Sequence, residues 1–405
     1  MLPNLNRDAM SEPKRFVVAG VSDSRNARLS DEALAAMRCI RVWSGGKRHR
    51  EIAGPMLPQG TEWIDVTVPL NDVFEKYRAH SEIALIASGD PLFYGIAATL
   101  QRAFPEAAIE VYPSPNSLQS LARQLAIPYG EMRCVSATGR PYTELDAALI
   151  EGEKLIGVLT DRRHTPDDIA RRMLRYGFDN YSMAIGENLG NEQRQRCRRM
   201  SLADASRLGF EAPNCVILER TKQRSRPFGI AESDFEGLPG RPRMITKMPV
   251  RLLSLSMLGL HNRTSLWDIG YCTGSVSIEA RLQFPRLKIT SFEIRPECAG
   301  ILERNAMRMG APGIDAHTGD FLSLPLDELP RPDAVFIGGH GGKLREMLAK
   351  LSPYLLPGTA IVFNSVSEQS LELFEQAVAE QGMSITMRHR MALDDFNPIT
   401  ILKAE

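Results

Sequence analysis

The chain has 405 residues, 43% hydrophobic and 24% charged, with 49 Lys+Arg balanced by 49 Asp+Glu. That length supports two or three domains, each able to bury its own core. Zero formal net charge supplies no general pull toward nucleic acid or anionic lipid, so neither is expected as a partner. No apolar run is long enough for a membrane span. The polar stretch 1–15 also lacks the apolar centre of a signal peptide. Cys39, Cys134, Cys197, Cys215, Cys272 and Cys298 lie far apart without a Cys-x-x-Cys pair, which predicts reduced thiols in a cytoplasmic protein. The seven histidines show no ligand spacing, so no protein-bound metal is expected.

After a polar tail over 1–14, a first α/β block is predicted over 15–220. Short apolar runs at 16–21, 83–87, 109–112, 155–159 and 215–218 read as buried strands, and 29–37, 94–104, 117–125 and 166–174 as helices. Pro113-Ser-Pro115 interrupts the block and predicts two lobes with a cleft between them. Residues 221–243 mix Pro, Gly and charge without periodicity, which is linker composition. A second block follows over 244–405. Its predicted order is helix 250–258, strand 265–269, helix 275–284, strand 287–292, helix 296–309, strand 313–316, strand 334–337, helix 342–351, strand 360–363 and helix 368–380. Strands near 384–391 and 399–403 close the chain. Such alternation implies a parallel sheet covered on both faces, and the closing pair implies an antiparallel edge.

The most informative string is Leu266-Trp-Asp-Ile-Gly-Tyr-Cys-Thr-Gly-Ser-Val-Ser-Ile-Glu279. An apolar strand runs into a turn of Gly270, Tyr271, Cys272, Thr273 and Gly274, and a helix opens behind it. The next strand ends at Glu293, placed to accept hydrogen bonds from ribose hydroxyls. A third fingerprint glycine, which a pyrophosphate would want, is missing, so the turn suits S-adenosylmethionine better than NAD. Gly319-Asp320-Phe321 stands where an acid meets an adenine amino group and a ring lines the base pocket; an ordinary loop Gly-Asp is the plain alternative. The run 333–342 ends in Gly338, Gly339, His340, Gly341 and Gly342, more glycine than a turn needs, which predicts a substrate-facing loop. His340 is the one catalytic candidate. Thr246 precedes the first helix as a cap or a donor contact, while Lys247 and Arg251 are placed near an acidic substrate. Asn364-Ser365-Val366 departs from the Asn-Pro-Pro-Tyr pattern of enzymes that hold a flipped base, which disfavours a nucleobase substrate.

In the first block, Ala87-Ser-Gly-Asp-Pro-Leu-Phe-Tyr-Gly95 follows a strand and precedes a helix; Gly89, Asp90 and Pro91 form a rigid turn that presents amides. Pro113-Ser-Pro-Asn-Ser-Leu-Gln119 opens a helix whose N-terminus attracts a carboxylate. Arginines bunch at 162–163, 171–175 and 194–199, read first as solvated charge and second as a basic rim for a polyanion.

Taken together, these strings resemble known families. The first block resembles the tetrapyrrole (corrin and porphyrin) methylases through Ala87-Ser-Gly-Asp-Pro-Leu-Phe-Tyr-Gly95, Ser44-Gly-Gly-Lys-Arg-His49, Pro113-Ser-Pro-Asn-Ser117, Thr160-Asp161 and Glu187-Asn-Leu-Gly190. The second resembles the decarboxylating precorrin methylases through Thr246-Lys247, Val250-Arg251, 268–279 and 336–342. The resemblance covers about 15–403, and the order of the two blocks is its most specific part. It implies a two-lobed tetrapyrrole-methylase fold followed by a Rossmann-like methyltransferase domain, each binding one S-adenosylmethionine. It further implies methylation of C5 by the first module, and methylation of C15 with loss of the C12 acetate carboxyl by the second, on a precorrin-6-type macrocycle of cobalamin biosynthesis. Implied donor contacts are Gly89, Asp90, Pro91, Ser117 and Leu118 in the first module. In the second they are Thr246, Gly270 to Gly274, Glu293, Asp320 and Phe321. Lys247, Arg251, Gly338, Gly339, His340 and Asn364 are left to the substrate, and a homo-oligomer through the C-terminal domain is expected. Two departures stand out: Gly20-Val21-Ser22 lacks the family's second glycine, and Cys272 replaces a middle glycine. A tRNA methyltransferase, and a C-terminal methylase with a non-catalytic N-terminal scaffold, are the competing readings.

Overall fold

The computed structural model describes residues 14–22, 24, 27–393 and 397–405. In chain order the elements are β1 (Arg15–Val21), α1 (Asp31–Met37), β2 (Val42–Gly45), α2 (Lys47–Ala53), β3 (Glu62–Asp65), α3 (Leu70–Arg78), β4 (Glu82–Ser88), α4 (Ile96–Ala103) and β5 (Ala108–Tyr112). Then come α5 (Ser117–Leu125), β6 (Arg133–Ser136), α6 (Thr143–Glu151), β7 (Leu155–Leu159), α7 (Pro166–Arg175), β8 (Tyr181–Glu187), β9 (Arg196–Ser201), α8 (Leu202–Ala205) and β10 (Asn214–Arg220). The C-terminal elements are α9 (Met248–Leu258), β11 (Ser265–Ile269), α10 (Ser275–Gln283), β12 (Lys288–Glu293), α11 (Glu297–Met309), β13 (Ile314–Thr318), β14 (Ala334–Ile337), α12 (Leu344–Leu351), β15 (Ala360–Ser365), α13 (Glu368–Glu380), β16 (Ile385–Met391) and β17 (Ile399–Ala404).

Three sheets result. The first, in the order β3-β2-β4-β1-β5, is parallel throughout. Its strands are apolar on both faces because both are covered: Phe16 and Val18 pack with Phe74 and Tyr77, Val17 and Ala19 with Met37 and Trp43. The second sheet, β6-β7-β10-β8-β9, is mixed, with β6 parallel to β7 and β10 antiparallel to it. The change of sheet falls after β5, where Pro113-Ser-Pro115 marks the lobe division. The third sheet runs β13-β12-β11-β14-β15-β17-β16, parallel as far as β15 and antiparallel at β17 and β16. One face of that sheet buries Trp267, Ile269 and Phe363 with α12 and α13, and the other buries Leu266, Phe336 and Val362 with Val250 and Leu258 of α9. The chain is α/β, a two-lobed tetrapyrrole-methylase fold followed by a Rossmann-like domain.

Two compact units form, and their division differs from the contiguous block expected over 15–220. Leu155–Asp168 and Ser182–Glu219 group with the chain up to Gly139, while Arg140–Lys154 and Ile169–Tyr181, which carry most of α6 and α7, group with Arg220–Glu405. Charge explains the second grouping. Asp146, 2% exposed, accepts Nη2 of Arg172 at 2.7 Å and lies 3.7 Å from Nη2 of buried Arg281 on α10. Arg175 with Glu303 and Arg286 with Glu151 add pairs in the same unit.

The segment 221–243, expected as a linker, is packed against the helices that follow it. Ile230, Phe235 and Leu238 are buried. Glu279 of α10 accepts the amides of Gly229 (2.8 Å) and Ile230 (3.1 Å), and Asn305 of α11 accepts the amide of Glu236 (2.7 Å). The segment lacks periodicity because side chains from α10 and α11 bind its backbone, an arrangement its own composition does not display.

Candidate functional site

A cavity of about 340 Å³ opens at the carboxyl ends of β11, β12 and β14. Open α/β sheets place ligands at such strand ends. Its first wall is the turn after β11. Gly270 and Gly274 take φ of +83° and +76°, and Cys272 takes +48°. A Cβ on Gly270 would stand 2.7 Å from the amide nitrogen of Gly339, so the two strand-end loops touch through bare backbone. Cys272 occupies the left-handed region, where the resemblance implies a glycine, at a cost of about 1–2 kcal/mol. Two contacts hold it there: its amide donates to Glu293 Oε2 at 3.1 Å, and its Sγ donates to the carbonyl of Met244 at 3.2 Å.

Glu293 ends β12 almost fully buried. Its Oε1 accepts the amide of Arg295 (3.1 Å) and that residue's Nη1 (2.9 Å). Asp320 closes the opposite side. Its Oδ1 accepts the amide of Leu322 at 3.0 Å, its Oδ2 accepts Lys343 Nζ at 3.0 Å, and the lysine leads in holding this carboxyl below its ordinary range. Phe321 packs edge-on against Phe292 and Trp267. The glycine loop supplies Gly338 to Gly341 to the wall. His340 stands edge-on to Phe363 at 5.7 Å, and its Nδ1 accepts the amide of Gly342 at 3.2 Å. Burial lowers the pKa of this imidazole, so near neutral pH it is uncharged and, with Nδ1 accepting, carries its proton on Nε2.

Of the residues the sequence puts forward, Gly270, Cys272, Glu293, Asp320, Phe321, Gly338, Gly339 and His340 line this cavity. Tyr271, Thr273 and Gly274 shape its turn from behind: Tyr271 and Thr273 are buried, and a Cβ on Gly274 would meet Leu302 Cγ at 2.8 Å. Thr246 offers its carbonyl to Arg251, so Met244 takes the place on the wall expected for Thr246. Lys247 precedes α9, and Asn364 accepts from Ser254 Oγ at 3.1 Å; neither reaches the cavity.

Arg251 is a correction. It is 0% exposed, with Nε 3.2 Å from Glu279 Oε2 and the guanidinium also on the carbonyls of Thr246 and Ile230. A cation so enclosed cannot meet a substrate; its work is to close the segment before α9 onto α10. Arg295, Lys343 and Met347 line the cavity although the motifs do not mark them. A cation two residues beyond the strand-end acid, and another directly after the glycine loop, are the available signals.

Below the turn lies Asp268, fully buried, its Oδ2 accepting Ser277 Oγ at 2.5 Å and its Oδ1 without a partner. Burial pushes this carboxyl up to about 7, against the hydrogen bonds from Ser277.

The N-terminal motifs also converge at strand ends. Gly89, at φ +63°, donates its amide to the carbonyl of Val21 (2.8 Å) and accepts from the amide of Ser114 (3.2 Å). A Cβ on Gly20 would stand 1.8 Å from Gly89 O, which makes that glycine obligatory although Ser22 stands where the resemblance implies a second one. Asp90 Oδ1 accepts the amide of Leu92 at 2.9 Å, and Pro91 packs under Gly95. Asn116 caps α5 in a reciprocal exchange with Gln119, which leaves Ser117 at the first helical position. The side chain of Leu118 lies in the core with Leu121, Ala184 and Ile217, so only its backbone can meet a ligand. His49 accepts the amide of Gly46 at Nδ1 (3.1 Å) and lies 3.0 Å, through Nε2, from Ser88 Oγ, the residue before Gly89. Asp161 ends its run against the amides of Gly139, Arg163 and His164 and the His164 ring; burial opposes its ionisation, but these donors outweigh it and hold the carboxyl well below its usual range. The arginine clusters resolve mainly into ion pairs: Arg172 with Asp146, Arg194 with Glu211, Arg198 with Glu187 and Arg199 with Glu219. Among the described residues no His, Cys, Asp or Glu group is arranged for a metal, and no helix is long and apolar enough to cross a membrane.

The fold and its two sets of strand-end motifs define a pair of methylase modules. The family model described as Tetrapyrrole (Corrin/Porphyrin) Methylases matches residues 32–206, and that described as Precorrin methyltransferase domain matches 241–403. The chain belongs to the precorrin-6Y C(5,15)-methyltransferase (decarboxylating) family. A member from Sinorhizobium sp is 32% identical over 359 residues, which are 87% of this chain and 84% of the relative. Two Salmonella typhimurium proteins match parts of the chain. The cobalt-precorrin-6B C(15)-methyltransferase (decarboxylating) is 39% identical over 134 residues, 33% of this chain and 68% of that protein. The cobalt-precorrin-7 C(5)-methyltransferase is 28% identical over 179 residues, 44% of this chain and 86% of that protein.

Proposed function

We propose that this chain methylates C5 and C15 of a precorrin-6-type macrocycle and removes the carboxyl of its C12 acetate, in cobalamin biosynthesis. The N-terminal module acts at C5 and the C-terminal module at C15 and C12, each with its own S-adenosylmethionine. The observation that carries this reading is the cavity where Gly270, Glu293, Asp320 and the glycine loop meet, in a chain of this family.

The residues present fit the donor. Glu293 offers a carboxylate to ribose hydroxyls, Asp320 one to the adenine amino group, and Phe321, Leu322 and Ile294 an apolar bed for the base. Gly270 lets the chain pass where any side chain would strike Gly339. In the N-terminal module Gly89, Asp90 and Pro91, with the start of α5 at Ser117 and Leu118, form the corresponding contacts.

When bound, S-adenosylmethionine supplies a methyl group already activated on a sulfonium. The acceptor is an electron-rich ring carbon, so the protein needs no nucleophile of its own; its work is alignment and exclusion of water. This accounts for a site lacking a nucleophile–base pair. At C12 the bond to the carboxylate breaks, carbon dioxide leaves, the electron pair enters the conjugated ring, and a solvent proton completes the methyl group. His340, whose Nδ1 accepts the amide of Gly342, is assigned to orienting that side chain by donating from Nε2.

The test is incubation of the full chain with a purified precorrin-6 intermediate and isotope-labelled donor, followed by mass spectrometry. Two labelled methyls and the loss of one carbon dioxide are expected. A product with neither methyl refutes the reading, and one methyl with carbon dioxide loss refutes the share given to the N-terminal module.

A further inference from the structure

Both acids assigned to the donor are engaged by a cation of the same cavity: Glu293 by Arg295 at 2.9 Å and Asp320 by Lys343 at 3.0 Å. The two pairs differ in how easily they part. Glu293 is 2% exposed and takes both the amide and the guanidinium of Arg295, two residues away. Lys343 and Asp320 are 54% and 35% exposed, joined by a single contact between residues 23 apart in the chain. A solvated single-contact pair is weak and easily exchanged.

Lys343 also has room to leave. It follows Gly341 and Gly342, at φ +54° and +83°, beside which a Cβ would meet nothing within 4 Å. Its ammonium is a point charge on a four-carbon stem, able to turn from one carboxylate to another. The adenine amino group is a neutral donor wanting the same Asp320 oxygens that hold this ammonium.

We infer that Lys343 is the residue that receives a carboxylate of the acceptor macrocycle, and that its bridge to Asp320 holds it back until the donor's adenine engages that acid. The inference rests on the function proposed above. It makes donor binding and acceptor binding mutually favourable in the C-terminal module: the donor releases the lysine, and a lysine drawn to the acceptor vacates Asp320. Linkage requires the two effects to be equal.

The experiment titrates S-adenosylhomocysteine into the full chain by calorimetry at low and high ionic strength, for wild type, Lys343→Met and Lys343→Arg. The side chain of Lys343 is more than half exposed, so its replacement leaves the core untouched, and Asp320→Asn provides an independent removal of the same bridge. Salt weakens the bridge, so wild-type affinity at this site is expected to rise about two- to fivefold with salt. Lys343→Met is expected to start at the tighter value and lose that salt response, while Lys343→Arg keeps it. Asp320→Asn is expected to lose the salt response too. Lys343→Met should also raise KM for the macrocycle in C15 methylation about tenfold, with kcat little changed. An unchanged salt response in Lys343→Met, weakened S-adenosylhomocysteine binding, or an unchanged KM each overturns the inference. Failure of wild type to methylate any macrocycle refutes the functional reading instead, and the titration still reports whether the bridge competes with adenine.

Discussion

Arg251 and Glu279 lie with their side chains wholly buried, Nε to Oε2 3.2 Å apart, and between them they hold the backbone of Gly229, Ile230 and Thr246. A buried charge that loses its partner is costly, so Glu279→Ala should destabilise the C-terminal unit by about 3–5 kcal/mol. The double change Arg251→Met with Glu279→Leu should recover much of that loss, because no lone charge remains inside. Urea titration followed by circular dichroism checks both, and a single mutant as stable as wild type contradicts the account.

Gly270→Ala should abolish donor binding in the C-terminal cavity, since the added methyl strikes Gly339 and φ is +83°. Gly339→Ala, with open space at its Cβ, is the matched control and should bind within a few-fold of wild type. Calorimetry with S-adenosylhomocysteine reads the difference; equal binding by the two variants defeats the steric explanation.

Asp268 makes stability depend on pH in a definite sense. Its carboxyl is raised by burial from 3.8 to about 7, so between those values the folded chain keeps a proton that the unfolded chain has lost. Stability therefore falls as pH rises through that window, by at most about 1.4 kcal/mol per pH unit from this group. Asp268→Asn removes the titration and should flatten the fall. Unfolding midpoints at pH 5 and pH 8 provide the check, and an unchanged slope in the variant shows that other groups are responsible.

His340→Gln should decarboxylate within a few-fold of wild type, because an amide nitrogen replaces the Nε2 donor, while His340→Ala should be slower by about tenfold or more. A loss above about a hundredfold in the glutamine variant would show that the imidazole supplies a proton after all.

The legible parts of the fold are those whose signal is local. β11 and β14 can be read to the residue because each is a short apolar run ending in glycine. β9, Arg-Cys-Arg-Arg-Met-Ser, escapes such a reading because its arginines look like solvated charge; they lie on a strand and meet Glu187 and Glu219 across the sheet. β8 escapes it because its Ser and Gly interrupt an otherwise apolar run. At the site, the glycine turn and both acids are visible, since their positions follow from strand ends. Arg251 misleads because the acid that buries it lies 28 residues away, and Lys343 stays hidden because its partner lies on a different strand-end loop.

The stretch that looks easiest to cut is sewn tightly into the C-terminal sheet's helices. Arg226 donates to the carbonyls of Leu282 (2.6 Å) and Gln283 (3.0 Å), Gln283 answers the carbonyl of Pro227 (2.8 Å), and Asn305 bonds both Glu236 and the carbonyl of Thr273 in the donor turn. A fragment begun at residue 240 would thus strip the second methylase of its own scaffolding and slacken the very bend meant to grip the nucleoside. Surgery on this enzyme belongs upstream of Arg226.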